Sequence, residues 1–370
     1  MNRPAASGGV SVPVSSEAQR LMPQSGAGGT ERIVFLDLAR GLAIFFVVMQ
    51  HAVIVYAAGG GKHSAPGEVI LLLGTVLGAP VFLFIMGVFL GRPNGRTGRG
   101  IWRGLKLVGL GYLLNLLRFT LPLSLTGKGV SFAGAPDSPL TLFWMVDILQ
   151  MAGLSFVVLT LVRAYLPVRW LWVVLASAVS VVFPLLRGRG DSFAVCALLW
   201  GTGENVVFPL FPWLVYPLVG MAYSSCLLNA EDYGRAMKRT AAMGGFLFLI
   251  GAAVSLLPLR RILGASDYYR SGPGTHLAVV GVVFVWLALC WGLAKRRTRS
   301  ALRRVLCFWS RHVTTVYFVQ WVLIGWGMVL LEANRYSVPV ALVIGAMVLL
   351  LTHFITVAFV GLAVRGRGNQ

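Results

Sequence analysis

The sequence has few charged residues, and acidic residues are especially scarce. Only 12% of the 370 residues are charged, with 12 Asp and Glu against 32 Lys and Arg. Soluble domains carry about a quarter of their residues as charges, so the scarcity excludes an ordinary water-soluble domain. The net charge of +20 would favour nucleic acid if it lay on a soluble surface. Because the basic residues fall between apolar runs, we expect no nucleic-acid partner.

Cysteine is also scarce. The four cysteines form no CxxC pair and have no histidine at metal-ligand spacing. They are Cys196, Cys226, Cys290 and Cys307. We interpret them as packing residues and predict no metal site and no permanently bound cofactor.

Apolar runs dominate what remains, since 57% of the residues are hydrophobic. Roughly 20 apolar residues cross a bilayer as a helix, and lipid leaves the backbone no other hydrogen-bond partners. The pattern predicts an all-α polytopic membrane protein with about ten transmembrane helices. The predicted spans are 33–57, 68–91, 101–122, 140–166, 168–186, 206–228, 238–258, 275–294, 305–331 and 338–364. Gly78–Pro80 and three prolines of the sixth span predict interrupted helices.

The loops indicate an orientation. Sorting them alternately places more than twice as many Lys and Arg on the side of the termini, which predicts that both termini are cytoplasmic. Residues 1–31 lack an apolar signal-peptide core and are predicted to be a disordered cytoplasmic tail. Residues 32–365 would form the helical domain and 366–370 a short tail. The Gly and Arg usage is typical of bacterial proteins, so we expect a multi-pass protein of a bacterial cytoplasmic membrane.

The first span, RIVFLDLARGLAIFFVVMQHAVIVY, contains Asp37, Arg40 and His51. Ionisable groups at that depth normally face the bundle interior or a water-filled path. Eleven residues make about three helical turns, so Arg40 and His51 share one stripe, roughly 16 Å apart. Asp37 is spaced to pair with Arg40. A bland interpretation also fits, in which this pair only neutralises itself and His51 makes a polar helix contact.

These residue types suggest different roles. The planar fork of Arg40 stays charged at any depth and suits a phosphate or a thioester carbonyl. A desolvated neutral histidine can accept a proton from an attacking hydroxyl or amine, which makes His51 a candidate general base.

The fourth span, PLTLFWMVDILQMAGLSFVVL, places Asp147 and Gln150 on one helical face. Asp147 is predicted at a depth similar to that of His51. If the helices are neighbours, Asp147 would orient the imidazole as the third group of a triad does. The alternative is that Asp147 only joins helices by hydrogen bonding.

Weaker candidates lie elsewhere in the chain. The outer connections 187–205 and 259–274 mix Gly, Arg, acidic and aromatic residues and are predicted to form an acceptor site, with Arg270 as a binding residue. Arg118 is a second acceptor-binding candidate. Arg311 and His312 would meet an anionic cofactor at the cytoplasmic mouth, or would serve as interfacial anchors. The remaining weak candidates are Asn115, Tyr317 and Gln320, with His353 as a helix-contact residue.

Six motifs in order resemble the transmembrane acyltransferase superfamily, which includes acyltransferase family 3 and the heparan-alpha-glucosaminide N-acetyltransferase group. They are RIVFLDLARGLAIFFVVMQH, APVFLFIMGVFLG, VDILQMAGL, FPLFPWLVYPLVGM, YYRSGPG and SRHVTTVYFVQ. The Arg40-to-His51 element is similar to the family 3 signature, whereas FPLFPWL and YYRSGPG resemble the heparan group. Family 3 often has histidine where Gln320 stands. In the heparan group the catalytic histidine lies further from the first helix, so His63 is a reserve base.

The resemblance implies acyl-CoA, most simply acetyl-CoA, as a co-substrate bound from the cytoplasm. It implies transfer to a hydroxyl or amine of an outer-side glycan or small molecule. On this expectation Arg40, Asp37 and Arg311 bind the donor, while His51 and Asp147 are catalytic. Gln150, Arg118 and Arg270 would bind the acceptor. Membrane lipids are the remaining partners, and the sequence leaves a homodimer open.

Two other functions remain open from the sequence. Ten helices with midplane charges and broken spans also describe a secondary transporter or exporter of a polar or anionic solute. A purely structural membrane partner leaves the stripe of Arg40 and His51 without a role.

Overall fold

The computed structural model describes residues 24–25, 31–92, 97–126, 138–203, 205–256, 268–296 and 301–368. Most of the predicted N-terminal tail therefore lies outside the described residues. So do three basic residues that count towards the outer loops, Lys128, Arg260 and Arg261. Two short strands, β1 (Gln24–Ser25) and β2 (Glu31–Arg32), pair antiparallel just before the first helix.

Most of the remaining described chain is helical, and ten of its helical segments are long and apolar enough to cross a membrane. The helices are α1 (Val34–Tyr56), α2 (Gly59–Lys62), α3 (Ala65–Leu77), α4 (Ala79–Leu90), α5 (Thr97–Asn115), α6 (Leu121–Thr126), α7 (Pro139–Phe143), α8 (Ile148–Tyr165), α9 (Arg169–Leu186), α10 (Ala194–Trp200), α11 (Leu210–Leu228), α12 (Tyr233–Leu256), α13 (Pro273–Lys295), α14 (Ala301–Arg311), α15 (Val313–Leu330) and α16 (Val338–Gly368). A π-helical turn, Leu116–Thr120, joins α5 to α6, and a 3-10 turn, Tyr268–Arg270, precedes α13. The predicted all-α polytopic class is confirmed.

Two predicted span boundaries are wrong. The fourth span begins at Ile148 and not at 140, because residues 144–147 leave the helical path: the Val146 amide donates to Asn205 O at 2.7 Å. Asp147 then starts α8 by capping it. The ninth span begins at Val313, since the preceding residues form the separate amphipathic helix α14.

The predicted helix interruptions are half right. The second span breaks at Gly78, between α3 and α4. The sixth span is a continuous helix, because Pro209 stands at its N-cap and Pro212 lies in its first turn, where no intrahelical N–H is lost. Only Pro217 lies in the interior.

Small residues let α4 and α11 touch backbone to backbone. A Cβ at Gly87 would overlap the Pro217 carbonyl, and a Cβ at Gly220 would overlap the Phe84 carbonyl. The two contacts are reciprocal, so each helix supplies a glycine to the other. They make this helix pair a closely packed wall of the bundle.

Helix α1 lies at the centre of the bundle, packed against α3, α13, α14, α15 and α16. Most of its side chains are buried, including Asp37. Because most of α1 is covered by other helices, with Phe45 as an exposed exception, Asp37, Arg40 and His51 lie inside the bundle.

Candidate functional site

One cavity of about 1340 Å³ has both Arg40 and His51 among its lining residues. Arg40 lies near the start of α1 and His51 near its end, so the cavity follows most of the length of this helix. We call its two ends the Arg40 end and the His51 end. The predicted stripe therefore faces an open path and not lipid.

The Arg40 end is rich in guanidinium groups. The arginines that line it are Arg40, Arg92, Arg99, Arg103 and Arg163. No carboxylate lines this end within the described chain. Such a cluster in a partly enclosed space attracts phosphate or another polyanion.

Arg40 is held by polar and aromatic contacts. Its Nη2 donates to Asp37 Oδ1 at 3.2 Å, and the Ser310 hydroxyl donates to the same oxygen at 2.7 Å. The Phe89 ring lies under the guanidinium groups of both Arg40 and Arg92, 5.6 and 5.4 Å from its centroid. Asp37 does not line the cavity, so in this structure it anchors Arg40.

At the His51 end, the imidazole is bound by a residue distant in sequence. His51 Nδ1 lies 3.3 Å from Gln320 Oε1 and 3.2 Å from Gln320 Nε2. The Trp321 ring packs on the imidazole, with centroids 4.2 Å apart, and Tyr317 meets its edge at 6.2 Å. With Oε1 as acceptor, the proton sits on Nδ1 and the Nε2 lone pair is available in the cavity.

Asp147 lies in the cavity wall, but it makes no hydrogen bond to His51 in the described structure. It is the N-cap of α8, where its Oδ1 accepts from the Ile148 amide at 2.7 Å. Its Oδ2 accepts from Arg118 Nη2 at 2.6 Å. Gln320 therefore takes the orienting position that the sequence assigned to Asp147.

Arg118 stands in the wall behind Trp321. It is 1% exposed, donates to Asn115 Oδ1 at 2.8 Å, and lies over the rings of Phe119 and Trp321, 4.3 and 4.7 Å from their centroids. Its Nε and Nη1 have no hydrogen-bond acceptor within the described residues, and the aromatic faces cover the guanidinium instead. The pair of Arg118 and Asp147 thus places two opposite charges beside His51.

The other predicted acceptor residues shape the wall in different ways. Gln150 does not line the cavity: its side chain closes a capping box with Asp147 and donates to Met145 O at 3.2 Å. Arg270 lines the cavity and donates to the carbonyls of Gly201, Gly203 and Val206. It joins these three residues to the 3-10 turn that precedes α13.

Three further candidates lie away from the cavity. Arg311 is exposed, and its Nε donates to Cys307 O at 3.3 Å, as an interfacial residue would. His63 is exposed in the turn after α2. His353 accepts from the Trp309 indole at 3.2 Å, which confirms the predicted helix contact.

Aromatic side chains form one wall at the His51 end. They are Phe208, Trp213, Tyr268 and Tyr269, whose ring centroids lie 4.6 to 6.1 Å apart. Burial raises the pKa of the Tyr268 phenol well above its ordinary value, so this hydroxyl stays a donor, 3.1 Å from Thr75 O. Asn205 and Thr202 add polar groups nearby. Both predicted outer connections therefore contribute to the cavity.

Sequence reasoning missed several of these residues. Loop charge indicates orientation but does not reveal that four arginines, Arg92, Arg99, Arg103 and Arg163, line one cavity.

The sequence also gives no signal for Gln50, whose amide donates to Leu71 O at 3.3 Å and to the Thr75 hydroxyl. His276 was missed as well; it is buried in α13 and bonded to Tyr216 and Ser271 O. The rule that flagged His51, an ionisable group inside an apolar span, would have found His276 as well.

These features define a polytopic membrane protein with an internal cavity, in which a partnered histidine and an arginine cluster stand at opposite ends. Residues 32–257 match the family described as heparan-alpha-glucosaminide N-acetyltransferase, catalytic. The match covers more than half of the chain, so the chain belongs to this family. It is a multi-pass membrane protein of the acetyltransferase type. Comparison with curated proteins gives no match.

Proposed function

We propose that this protein transfers an acyl group, most simply acetyl, from acyl-CoA at the Arg40 end to a hydroxyl or amine that enters from the His51 end. The main support for this proposal is that Arg40 and His51 line the same cavity. A donor bound at one end and an acceptor bound at the other would meet inside this cavity. The acyl group would then need no second protein to carry it between them.

The arginine cluster supports the donor assignment. Coenzyme A carries phosphate groups at one end and its thioester at the other, and guanidinium groups bind phosphate in paired hydrogen bonds. Phosphates held by Arg99 and Arg103 at the rim would direct the narrow thioester arm along α1 towards His51. The excess of Lys and Arg in the loops on that side supports a cytoplasmic Arg40 end, which acyl-CoA would reach directly.

The chemistry then falls to His51. Its Nε2 takes the proton of the acceptor hydroxyl or amine as that oxygen or nitrogen bonds to the thioester carbonyl carbon. The carbon–sulfur bond breaks, and the imidazolium returns the proton to the departing thiolate. Coenzyme A with a free thiol and the acylated acceptor are the products. These steps require a proton on Nδ1 and a lone pair on Nε2, and the Gln320 side chain holds the imidazole in that tautomer.

The aromatic wall supports an acceptor with a flat apolar face and polar edges, as a sugar ring has. Tyr269 offers a ring face, with Phe208 and the buried Trp213 packed behind it, while Asn205 and Tyr268 offer polar groups. A glycan or a similar polar small molecule on the outer side of a bacterial cytoplasmic membrane fits this surface.

The experiment is reconstitution of the purified protein in proteoliposomes with isotope-labelled acetyl-CoA and extracts of surface glycans and metabolites. Label should move to an acceptor identified by mass spectrometry, and cells lacking the gene should lack that product. Solute flux without acylation would instead establish the transporter function.

A further inference from the structure

Helix α14 (Ala301–Arg311) has one face against the bundle and one face free. Its buried residues are Leu306, Cys307, Trp309 and Ser310. The opposite face carries the exposed Arg304 and Arg311, seven residues and so about two turns apart. Leu302, one turn before Leu306 on the side of the buried residues, is 63% exposed. An eleven-residue helix is too short to cross a bilayer, and this mixture of basic and apolar exposed groups is typical of a helix lying at the membrane surface.

The position of α14 agrees with that environment. It follows Lys295 and Arg296 at the end of the span α13 and packs on the first turns of α1. The contact is close, because a Cβ at Gly41 would meet the backbone and Cβ of Leu306. The helix therefore lies at the Arg40 end of the bundle, where the spans leave the bilayer.

A hydrogen-bonded path leads from α14 into the cavity. Ser310, on its buried face, donates to Asp37 Oδ1 at 2.7 Å, and the same oxygen accepts from Arg40 at 3.2 Å. The position of α14 on α1 therefore affects the orientation of the Asp37 carboxylate, and through it the position of Arg40.

We infer that α14 binds the phosphate headgroups of anionic phospholipids through Arg304 and Arg311, and that this binding holds Asp37 and Arg40 in place. Charge complementarity supports the lipid as occupant, because the helix carries arginines and no acidic residue. The inference does not depend on the transfer reaction.

The test uses the full chain in nanodiscs of phosphatidylcholine alone or with phosphatidylglycerol. Native mass spectrometry measures phosphatidylglycerol retained per protein, and thermal unfolding measures its stabilising effect. The double variant Arg304→Gln/Arg311→Gln should retain the lipid less, by about fivefold for each arginine removed. The control Arg189→Gln/Arg335→Gln removes the same charge at the opposite end of the bundle and should behave as wild type.

A third variant tests the path to the cavity. Ser310→Ala leaves the basic face intact, so lipid retention should stay normal while the stabilisation by phosphatidylglycerol shrinks. Equal retention by both double variants would overturn the lipid site, as would equal stabilisation by inorganic phosphate. Undiminished stabilisation of Ser310→Ala would overturn the coupling to Arg40.

Discussion

His51 and Gln320 are 269 residues apart in sequence, yet the imidazole Nδ1 and the amide Oε1 lie 3.3 Å apart inside the bundle. One comes from the end of α1 and the other from the middle of α15. The contact occupies Nδ1, so Nε2 is the ring nitrogen left to meet a ligand in the cavity.

The first prediction concerns the base. His51→Ala should remove acyl transfer while leaving the protein folded, because one side of the ring borders the cavity and the change adds only a small space beside Trp321. His63→Ala is the matched control, since His63 is exposed and distant from the cavity. Activity retained by purified His51→Ala and lost in His63→Ala would reverse the assignment.

The second prediction separates positioning from chemistry. Gln320→Leu keeps the side-chain volume but removes the partner of Nδ1, so kcat should fall by about 100-fold with KM for acyl-CoA nearly unchanged, as expected for a misplaced catalytic group. Gln320→Glu keeps an acceptor at that position and should restore most of kcat. Equal kcat in the Leu and Glu variants would show that the hydrogen bond does not matter.

The third prediction concerns the buried ion pair. Asp147→Asn or Arg118→Met leaves one uncompensated buried charge and should lower the free energy of unfolding by about 3 kcal/mol, whereas the double variant should lose less than the sum. Denaturant unfolding of the four proteins in detergent measures the coupling. Strict additivity would mean that the two side chains do not interact.

The fourth prediction tests the arginine cluster. Arg99→Gln/Arg103→Gln should raise KM for acyl-CoA at least about tenfold with kcat preserved, because phosphate binding remote from the thioester is the same in the ground and transition states. The variant should also lose the preference for CoA over its 3′-dephospho form. Arg235→Gln/Arg239→Gln removes two exposed arginines that do not line the cavity and serves as the control.

The fifth prediction concerns the acceptor wall. Trp213→Leu should raise KM for the acceptor and leave KM for acyl-CoA unchanged, because this indole lines only the His51 end. Steady-state kinetics with each substrate varied in turn decides the point. A change confined to the donor KM would place the acceptor elsewhere.

The sequence predicted the helical class and the stripe of Arg40 and His51 because both depend on local period and burial cost. The apolar run 140–166 predicts one continuous helix with Asp147 in its interior, whereas Asp147 caps the start of α8. The Asp-x-x-Gln spacing of a capping box was present at 147–150, but it was interpreted as one helical face. The partnership of His51 with Gln320 depends on how α1 and α15 pack, which no local pattern encodes. The arginine cluster was visible only as loop charge, since its convergence on one cavity requires the folded bundle.

The reciprocal glycine contacts between α4 and α11 limit how this molecule can move. The backbones approach closely at Gly87 and Gly220, so we expect these two spans to move as one unit. A carrier that alternates its opening between the two faces of a bilayer usually needs one half to pivot on the other. If the wall formed by α4 and α11 stays still, substrates would enter through movements of the short segments at the two ends of the cavity.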